Sequence, residues 1–287
     1  MTLADLIANW IAFRAQLEKL GRLAPSTLKN QRQIAGTISR SLGQHQLAEL
    51  RKSHLDLFAA ERLQTCEPVT VHEEVAVLGQ ILNWAVDERL LDKDSRPRLP
   101  TISVPNVEKP LPSDADYAWY LRTMSPKHGD ALQFMCLTGL SPHELERLQV
   151  QDYDMVSLEI LIGEREDFRV KQASRRRRVP LNHGAAALWI KNSLGLPPDS
   201  HPFPSRDALQ KAMRRHFLDR ADAPAGADGL TPKMMRKWFA SKVANEASEK
   251  VLQALLGHAP GSPVTRKHYV RSTEAERLGA VGGLSIQ

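Results

Sequence analysis

A tyrosine surrounded by basic residues lies near the C-terminal end of this sequence of 287 residues. The phenol of Tyr269 is a poor nucleophile at its ordinary pKa of about 10, but it can attack phosphorus where cations and hydrogen-bond donors stabilise the phosphate. Upstream, Lys233 and Arg236 are three residues apart, a spacing that places two cations on one face of a helix. A Gly257-His258 pair then precedes the tyrosine. These residue types, in this order, favour covalent chemistry on a phosphate.

The charge of the chain favours a polyanionic partner. Lysine and arginine number 39 and aspartate and glutamate 33, which gives a formal net charge of +6. An excess of positive charge favours binding to nucleic acid first and to an acidic membrane surface second. Hydrophobic residues make up 42% of the chain, enough for real cores, and its length of 287 residues predicts about two domains.

The cysteines and the first residues bear on the compartment. Only two cysteines occur, Cys66 and Cys136, and they form neither a disulfide framework nor a zinc-binding pattern. The first residues lack a basic segment and include Asp5, so they do not resemble a signal peptide. No apolar run approaches the roughly 20 residues of a membrane span. We therefore expect a cytoplasmic protein without a membrane partner.

Residues 1–96 are expected to form a helical domain. Apolar residues recur every three or four positions from the start of the chain, which is the period of an amphipathic helix. Pro25 predicts the start of a second helix, and a short third helix follows over residues 54–63. Thr70 and Glu73 have the spacing of a capping box, which predicts that a fourth helix begins at Thr70.

Residues 97–112 hold five prolines and form a predicted linker, because each proline removes an amide donor and favours extended backbone before it.

A second domain is predicted over 113–270, with Ser113 as a helix N-cap and Pro142 in the first turn of a later helix. Residues 271–287 form a C-terminal tail. The second domain is expected to place a small sheet between helices, with helices over 114–124, 128–139, 141–148, 185 onward, 207–221, 232–246 and 248–256, and strands over 158–162, 168–171 and 175–181.

Three stretches together resemble the active site of the tyrosine recombinase (phage integrase) family: Lys233-Met234-Met235-Arg236, Leu256-Gly257-His258 and Tyr269. The resemblance covers nearly the whole chain. It implies a mainly α fold, with a helical, SAM-like core-binding domain at residues 1–96 and an α+β catalytic domain that contains a small antiparallel sheet. It also implies that the two domains clamp double-stranded DNA.

In that family a tyrosine attacks the scissile phosphate, which leaves a 3′-phosphotyrosyl link and a free 5′-hydroxyl, and no metal or other cofactor is needed. The resemblance makes Tyr269 the nucleophile and Arg236 the arginine of the His-x-x-Arg box, whose planar fork suits a phosphate. Lys233 stands in place of the histidine of that box. His258 matches a second histidine that contacts the phosphate by a hydrogen bond. Lys171 matches a strand lysine that protonates the leaving 5′-oxygen.

A basic run and one helical lysine are expected to contact the DNA backbone: Arg175, Arg176, Arg177, Arg178 and Lys237. If the run is extended, its side chains alternate between two faces. Some of the arginines are then expected to meet DNA, while others face solvent or a carboxylate.

One segment departs from the family pattern. Residues 138–145 resemble the family's Thr-Gly-Leu-Arg-x-x-Glu-Leu segment and keep Glu144, but Ser141 replaces the first catalytic arginine. A hydroxyl is neutral and too short to reach a phosphate that an arginine would span, and the loss of such a cation costs about 10³–10⁵ in rate. Three explanations stay open: Arg147 or an arginine of the basic run supplies the cation, the enzyme is slow, or the chain has lost cleavage and kept DNA binding.

The expected function is site-specific DNA recombination or integration by a homo- or hetero-oligomer, a tetramer on DNA, with no small-molecule substrate. The alternative is a catalytically impaired homologue that acts as a DNA-binding accessory or regulatory protein. A second rival is a monomeric type IB topoisomerase, which uses similar residues. In the family, the segment after the tyrosine often docks on a neighbouring protomer, so residues 271–287 either do this or form a frayed terminus.

Overall fold

The computed structural model describes residues 1–105, 113–168, 170 and 173–262. The chain divides into two compact units, Met1–Glu108 and Lys109–Gln287. Within the described residues the architecture is mainly helical with one three-stranded antiparallel sheet, which confirms the predicted fold class. No helix in these ranges is both long and apolar enough to cross a lipid bilayer.

The first unit packs four helices in its described residues 1–105: α1 (Leu3–Lys19), α2 (Pro25–Leu42), α3 (Lys52–Leu63) and α4 (Pro68–Asp87). Helix α1 begins at a capping box in which Asp5 N donates to Thr2 Oγ1 at 3.2 Å and Thr2 N donates to Asp5 Oδ2 at 2.8 Å. Because isolated helices of this length are marginal in water, burial of their apolar faces is what stabilises them. The shared core includes Leu6, Trp10, Ile38, Leu78 and Ile81.

A bidentate ion pair joins α3 to α4 in the first unit. The Nε and Nη2 atoms of Arg62 donate to the two carboxylate oxygens of Glu74 at 2.9 and 2.7 Å. Glu74 is buried, whereas the Arg62 side chain is 26% exposed. The one positive and one negative charge cancel, so this ion pair has no net charge.

Helix α4 begins earlier than the sequence predicts. Its N-cap is Glu67 and Pro68 occupies the first helical position, so the predicted capping box of Thr70 and Glu73 is wrong. Proline is favoured at that position because its φ is already helical and its missing amide donor needs no partner. The same preference places the start of α2 at Pro25, as predicted.

Seven helices of the second unit lie within its described residues: α5 (Asp114–Thr123), α6 (Pro126–Thr138), α7 (Pro142–Leu145), α8 (His183–Ser193), α9 (Arg206–Leu218), α10 (Pro232–Glu246) and α11 (Glu249–Leu256). Each corresponds to a predicted helix. Ser113 caps α5 as predicted, because Asp116 N donates to Ser113 Oγ at 3.3 Å. The core of the unit contains Phe134, Trp189 and Met235.

The sheet of the second unit has the order β1 (Tyr153–Asp154), β2 (Glu159–Ile162) and β3 (Arg177–Pro180), with Ile160 opposite Val179. The predicted strand over residues 168–171 is not observed at Phe168 and Val170, the two described residues of that stretch. Phe168 N donates to Arg165 O at 3.1 Å, so the chain turns there instead of extending. The third predicted strand is shortened to β3, since Ala173–Arg175 form a 3₁₀ turn. The sequence does not predict β1, which is too short for alternation to be visible.

Candidate active site

Glu144 lies at the centre of a buried polar cluster in the second unit. Helix α7 places it there, with Pro142 at the first helical position and Ser141 as the N-cap. Ser141 N donates to Glu144 Oε2 at 2.8 Å, and Glu144 N donates to Ser141 Oγ at 3.3 Å. This reciprocal capping box fixes the carboxylate and uses the Ser141 hydroxyl as a structural acceptor.

Arg236 reaches the same carboxylate from α10. Its Nη1 donates to Glu144 Oε2 at 3.1 Å and to Gly139 O at 2.9 Å. Its Nη2 donates to Leu256 O and lies 3.5 Å from Nε2 of His258. One guanidinium therefore connects the end of α6, the start of α7 and the end of α11.

Arg177 also reaches Glu144, from β3. Its Nη1 donates to Glu144 Oε1 at 2.7 Å and its Nη2 to Glu144 Oε2 at 3.3 Å. Its Nε donates to Leu255 O at 2.8 Å, next to the carbonyl that Arg236 uses. The last carbonyls of a helix carry partial negative charge, so both cations also stabilise the end of α11. We call Arg177, Glu144 and Arg236 the arginine–glutamate cluster.

The arginine–glutamate cluster holds Glu144 as a carboxylate. Burial alone raises the pKa of Glu144, but the hydrogen bond and charge of Arg177, the charge of Arg236 and the backbone amide of Ser141 lower it to about 2. The side chains of the three members are only 6% or 7% exposed. Two guanidinium groups against one carboxylate leave a net positive charge in a nearly dry environment.

The turn after α11 sets His258 beside Arg236. Gly257 adopts φ +65°, and His258 N donates to Gln253 O at 2.9 Å, which closes the helix. A Cβ on Gly257 would lie 2.9 Å from Nη1 of Arg177, so a glycine is needed for space as well as for backbone conformation.

His258 is neutral in this environment. Burial lowers the pKa of its imidazole, and the nearby charges of Arg236, Arg175 and Arg177 lower it further, to about 4. At neutral pH the ring therefore offers a hydrogen bond rather than a second full charge. The positive charge of the site is therefore left to the arginines.

Gly139, at the end of α6, brings its carbonyl to Arg236. It adopts φ +67°, and a Cβ there would overlap the ring of Phe239 on α10. The predicted helix end at Gly139 is confirmed. Because Gly139 has no side chain, α6 and α10 can approach closely enough for Arg236 to reach the Gly139 carbonyl.

The structure brings some of the predicted site residues together and not others. Arg236, His258 and Ser141 meet around Glu144. Lys233 is exposed on the first turn of α10, and Lys237 is half-buried one turn further along that helix. Tyr269 and Lys171 lie outside the described residues.

The last two arginines of the basic run, Arg177 and Arg178, lie on β3, whereas Arg175 ends a 3₁₀ turn. On β3, Arg177 faces Glu144, whereas the Arg178 side chain is 53% exposed and lies 3.7 and 3.4 Å from Glu159 and Glu164. Arg175 is half-buried and Arg176 is exposed. The sequence places Arg177 in a DNA-binding run and does not predict its pairing with Glu144; the only signal is the period of two along a strand.

The helices, the small sheet and the buried arginine–glutamate cluster define a class of α+β protein built around a polar site. Residues 115–276 match the phage integrase family. The match spans more than half of the chain, and the chain belongs to the phage integrase family. No curated protein matches the sequence.

Solved structures of two integrases have similar folds. A variant of the Tn1549 transposon integrase in complex with a circular intermediate DNA has a TM-score of 0.75 at 19% identity, covering 99% of this chain and 100% of that chain. A lambda integrase dimer bound to a COC′ core site has a TM-score of 0.75 at 14% identity, covering 96% and 79%. A lambda integrase tetramer bound to a Holliday junction has a TM-score of 0.75 at 13% identity, covering 96% and 80%. At these identities the likeness establishes the fold.

Proposed function

We propose that this chain is a site-specific DNA recombinase or integrase that cuts and rejoins duplex DNA through a 3′-phosphotyrosyl intermediate. Membership of the phage integrase family supports this reaction class. In the proposed organisation, residues 1–96 form the core-binding domain, 97–112 the linker, 113–270 the catalytic domain and 271–287 a tail. We expect the reaction in a reducing cytoplasm, because the two cysteines are both free.

The position of Arg236 carries the proposal. Its guanidinium is held by Glu144 and by the carbonyls of Gly139 and Leu256, and it lies beside His258. An arginine fixed by partners from several elements is preorganised to meet negative charge that develops in a transition state. Because a planar fork matches phosphate oxygens, a phosphodiester is the ligand that this arrangement suits.

In the proposed reaction, the Oη of Tyr269 forms a bond to phosphorus while the bond from phosphorus to the 5′-oxygen breaks. The phenol proton leaves to water, and Lys171 gives a proton to the departing 5′-oxygen. Arg236, Lys233 and His258 stabilise the negative charge on the remaining phosphate oxygens. One phosphodiester replaces another, so the step needs no external energy source, and rejoining is its reverse.

Double-stranded DNA is the proposed partner, and assembly on DNA is the proposed working state. The Tn1549 and lambda integrase structures contain DNA, and lambda integrase is a dimer on a core site and a tetramer on a Holliday junction. A net charge of +6 supports contacts with phosphates in this chain too. The residues proposed for these contacts are Arg175, Arg176, Arg178 and Lys237.

The second candidate is an accessory DNA-binding protein on the same fold, and Ser141 favours it. We propose that Ser141 stands where active family members have their first catalytic arginine. Its hydroxyl caps α7 by accepting from Glu144 N, and it brings no charge to a phosphate. Under this alternative the chain binds DNA and cleaves it slowly or not at all.

The test begins by finding the DNA site. The full chain with Tyr269→Phe selects its preferred sequence from a library of random duplexes, and that sequence is then built into a duplex nicked next to the cleavage position. The wild-type chain is expected to form a protein–DNA adduct that survives denaturing detergent. Tyr269→Phe is expected to form none, and Tyr153→Phe, on β1, serves as the matched tyrosine control that keeps the adduct.

The outcomes separate the candidates. Sequence-specific binding without any wild-type adduct would identify an accessory protein and overturn the recombinase proposal. An adduct that persists in Tyr269→Phe would remove Tyr269 as the nucleophile. Relaxation of supercoiled plasmids without site preference would instead identify a type IB topoisomerase.

A further inference from the structure

Arg177 contributes a second guanidinium to the arginine–glutamate cluster. A guanidinium has five N–H donors. Those of Arg177 reach Leu255 O, Arg175 O and the two oxygens of Glu144, which accounts for four of them. One hydrogen on Nη2 has no acceptor among the described residues. Arg177 is therefore fixed in place and still has a donor to offer.

Arg177 determines the net charge of the arginine–glutamate cluster. Arg236 and Glu144 alone would form a neutral pair of the kind seen at Arg62 and Glu74. Arg177 adds a surplus positive charge, although its side chain is only 6% exposed. A buried cation without a counter-charge is unfavourable. Binding of an anion beside the cluster is therefore expected to lower its free energy.

Other side chains near α7 do not supply this charge. Ser141 is neutral, and its hydroxyl accepts from Glu144 N. Arg147 is exposed, whereas the members of the cluster are buried. Arg178 points to the opposite face of β3 from Arg177, towards glutamates of the hairpin. Arg175 acts on His258 through its charge, whereas Arg177 and Arg236 are the cations seen to pair directly with Glu144.

We propose that Arg177 is the second catalytic arginine of this chain and contacts the scissile phosphate of duplex DNA in place of an arginine at position 141. The inference rests on the proposed function. Arg177 forms and breaks no covalent bond; it stabilises charge on the non-bridging phosphate oxygens while Tyr269 attacks. In this proposal the guanidinium comes from β3 instead of the start of α7, and Glu144 holds it there.

The test compares four full-length chains on the nicked duplex obtained by selection: wild type, Arg177→Gln, Ser141→Arg/Arg177→Gln and Arg165→Gln. Arg177→Gln is expected to lower the rate of adduct formation by about 10²–10³. The double variant returns a guanidinium through position 141 and is expected to recover about tenfold or more of that loss. Arg165→Gln removes an arginine paired with Asp152 at 2.7 Å outside the cluster, and it is expected to keep the wild-type rate.

A purely structural role for Arg177 predicts a different pattern. In that case Arg177→Gln and Arg165→Gln both lose thermal stability, adduct formation follows stability, and Ser141→Arg gives no recovery. That pattern overturns the proposal. If Arg177→Gln alone does not fold, the double variant decides, because adduct formation in it supports the transfer of the guanidinium and its absence in a folded double variant contradicts it.

A second measurement does not depend on cleavage. The slope of log Kd against log salt concentration, measured on the same duplex, is expected to fall by about 0.9 in Arg177→Gln, as for one lost phosphate contact. It is expected to stay unchanged in Arg165→Gln. A wild-type chain that binds but forms no adduct defeats the recombinase proposal and with it the catalytic role of Arg177. The slope still decides whether Arg177 contacts a phosphate, and an unchanged slope in Arg177→Gln defeats that contact.

Discussion

Each compact unit buries a glutamate against arginine, but the two arrangements differ in charge. Among the described residues of the first unit, Arg62 alone pairs with Glu74, and its side chain is 26% exposed to water. In the second unit Arg177 and Arg236 both meet Glu144, and both are almost completely buried. The first arrangement is neutral in sum, whereas the second keeps a surplus positive charge.

This difference distinguishes an ion pair that holds helices together from a site that can receive a ligand. A neutral buried pair completes its own electrostatics, and its charges add little to stability relative to apolar packing. A surplus cation costs stability in the free protein, because desolvation is not fully compensated. Folds keep such a cost where function needs it, so of the two buried glutamates we expect an anion to bind beside Glu144 and not beside Glu74.

The largest expected effect comes from removing the two glutamates in turn. Glu144→Gln leaves two buried guanidinium groups without a counter-charge, and we expect it to lower the free energy of unfolding by about 3–5 kcal/mol. Glu74→Gln is expected to cost less, about 1–3 kcal/mol, because the partly exposed Arg62 can turn towards water. Thermal and urea unfolding followed by circular dichroism give both values. Equal losses in the two variants would contradict the distinction between the two arrangements.

A smaller effect is expected at the turn that closes the cluster. Gly257→Ala forces a left-handed backbone on a side chain and pushes a Cβ against Arg177, so we expect a loss of about 1–3 kcal/mol. Gly195→Ala is the matched control, since Gly195 has φ +74° with nothing within 4 Å of its added Cβ. The difference between the two melting temperatures isolates the contacts with Arg177 and with the backbone of Arg175. If Gly195→Ala lowers stability as much as Gly257→Ala does, the space around Gly257 does not require a glycine.

The N-cap of α7 gives a third comparison. Ser141→Ala removes the acceptor for Glu144 N, and we expect a loss of about 1 kcal/mol, within the usual range for such caps. Ser205→Ala at the start of α9 removes an equivalent acceptor for Ala208 N but lies outside the cluster. Both variants are measured by urea unfolding. A larger loss for Ser141→Ala than for Ser205→Ala would show that the cap also positions the carboxylate.

Local signals in the sequence predict the helices well and the sheet less well. Pro25, Ser113 and Gly139 mark helix ends by their own backbone and capping chemistry, which acts within a few residues. Thr70 failed as a start signal because Pro68, two residues earlier, fits the first turn better. The turn at Phe168 replaced a predicted strand, since an apolar residue can be buried from a turn as well as from a strand.

The site was only partly predictable for a different reason. Arg236, His258 and Ser141 lie in recognisable stretches, so their importance is visible without the fold. The pairing of Arg177 with Glu144 joins residues 33 positions apart, and that of Arg236 with Glu144 joins residues 92 apart. Periodicity indicates that one face of β3 points towards the core, but it does not indicate which carboxylate pairs with an arginine on that face. Long-range partners of buried charges need the fold.

The smallest expected effect is on the pH dependence of stability, and it tests the electrostatics around Glu144 in the second unit. Burial and the nearby arginines lower the pKa of His258 from 6.5 to about 4, so the unfolded chain binds the proton more tightly than the folded chain does. Stability is therefore expected to fall as the pH drops from 6.5 towards 4, and the contribution of His258 between pH 7.5 and 6 is under about 1 kcal/mol. His128 and His216 also have pKa values lowered by burial, so the useful quantity is the difference between wild type and His258→Gln, from unfolding curves across this range. A pH dependence that is identical in the two chains would mean that burial and the nearby arginines do not lower the pKa of His258.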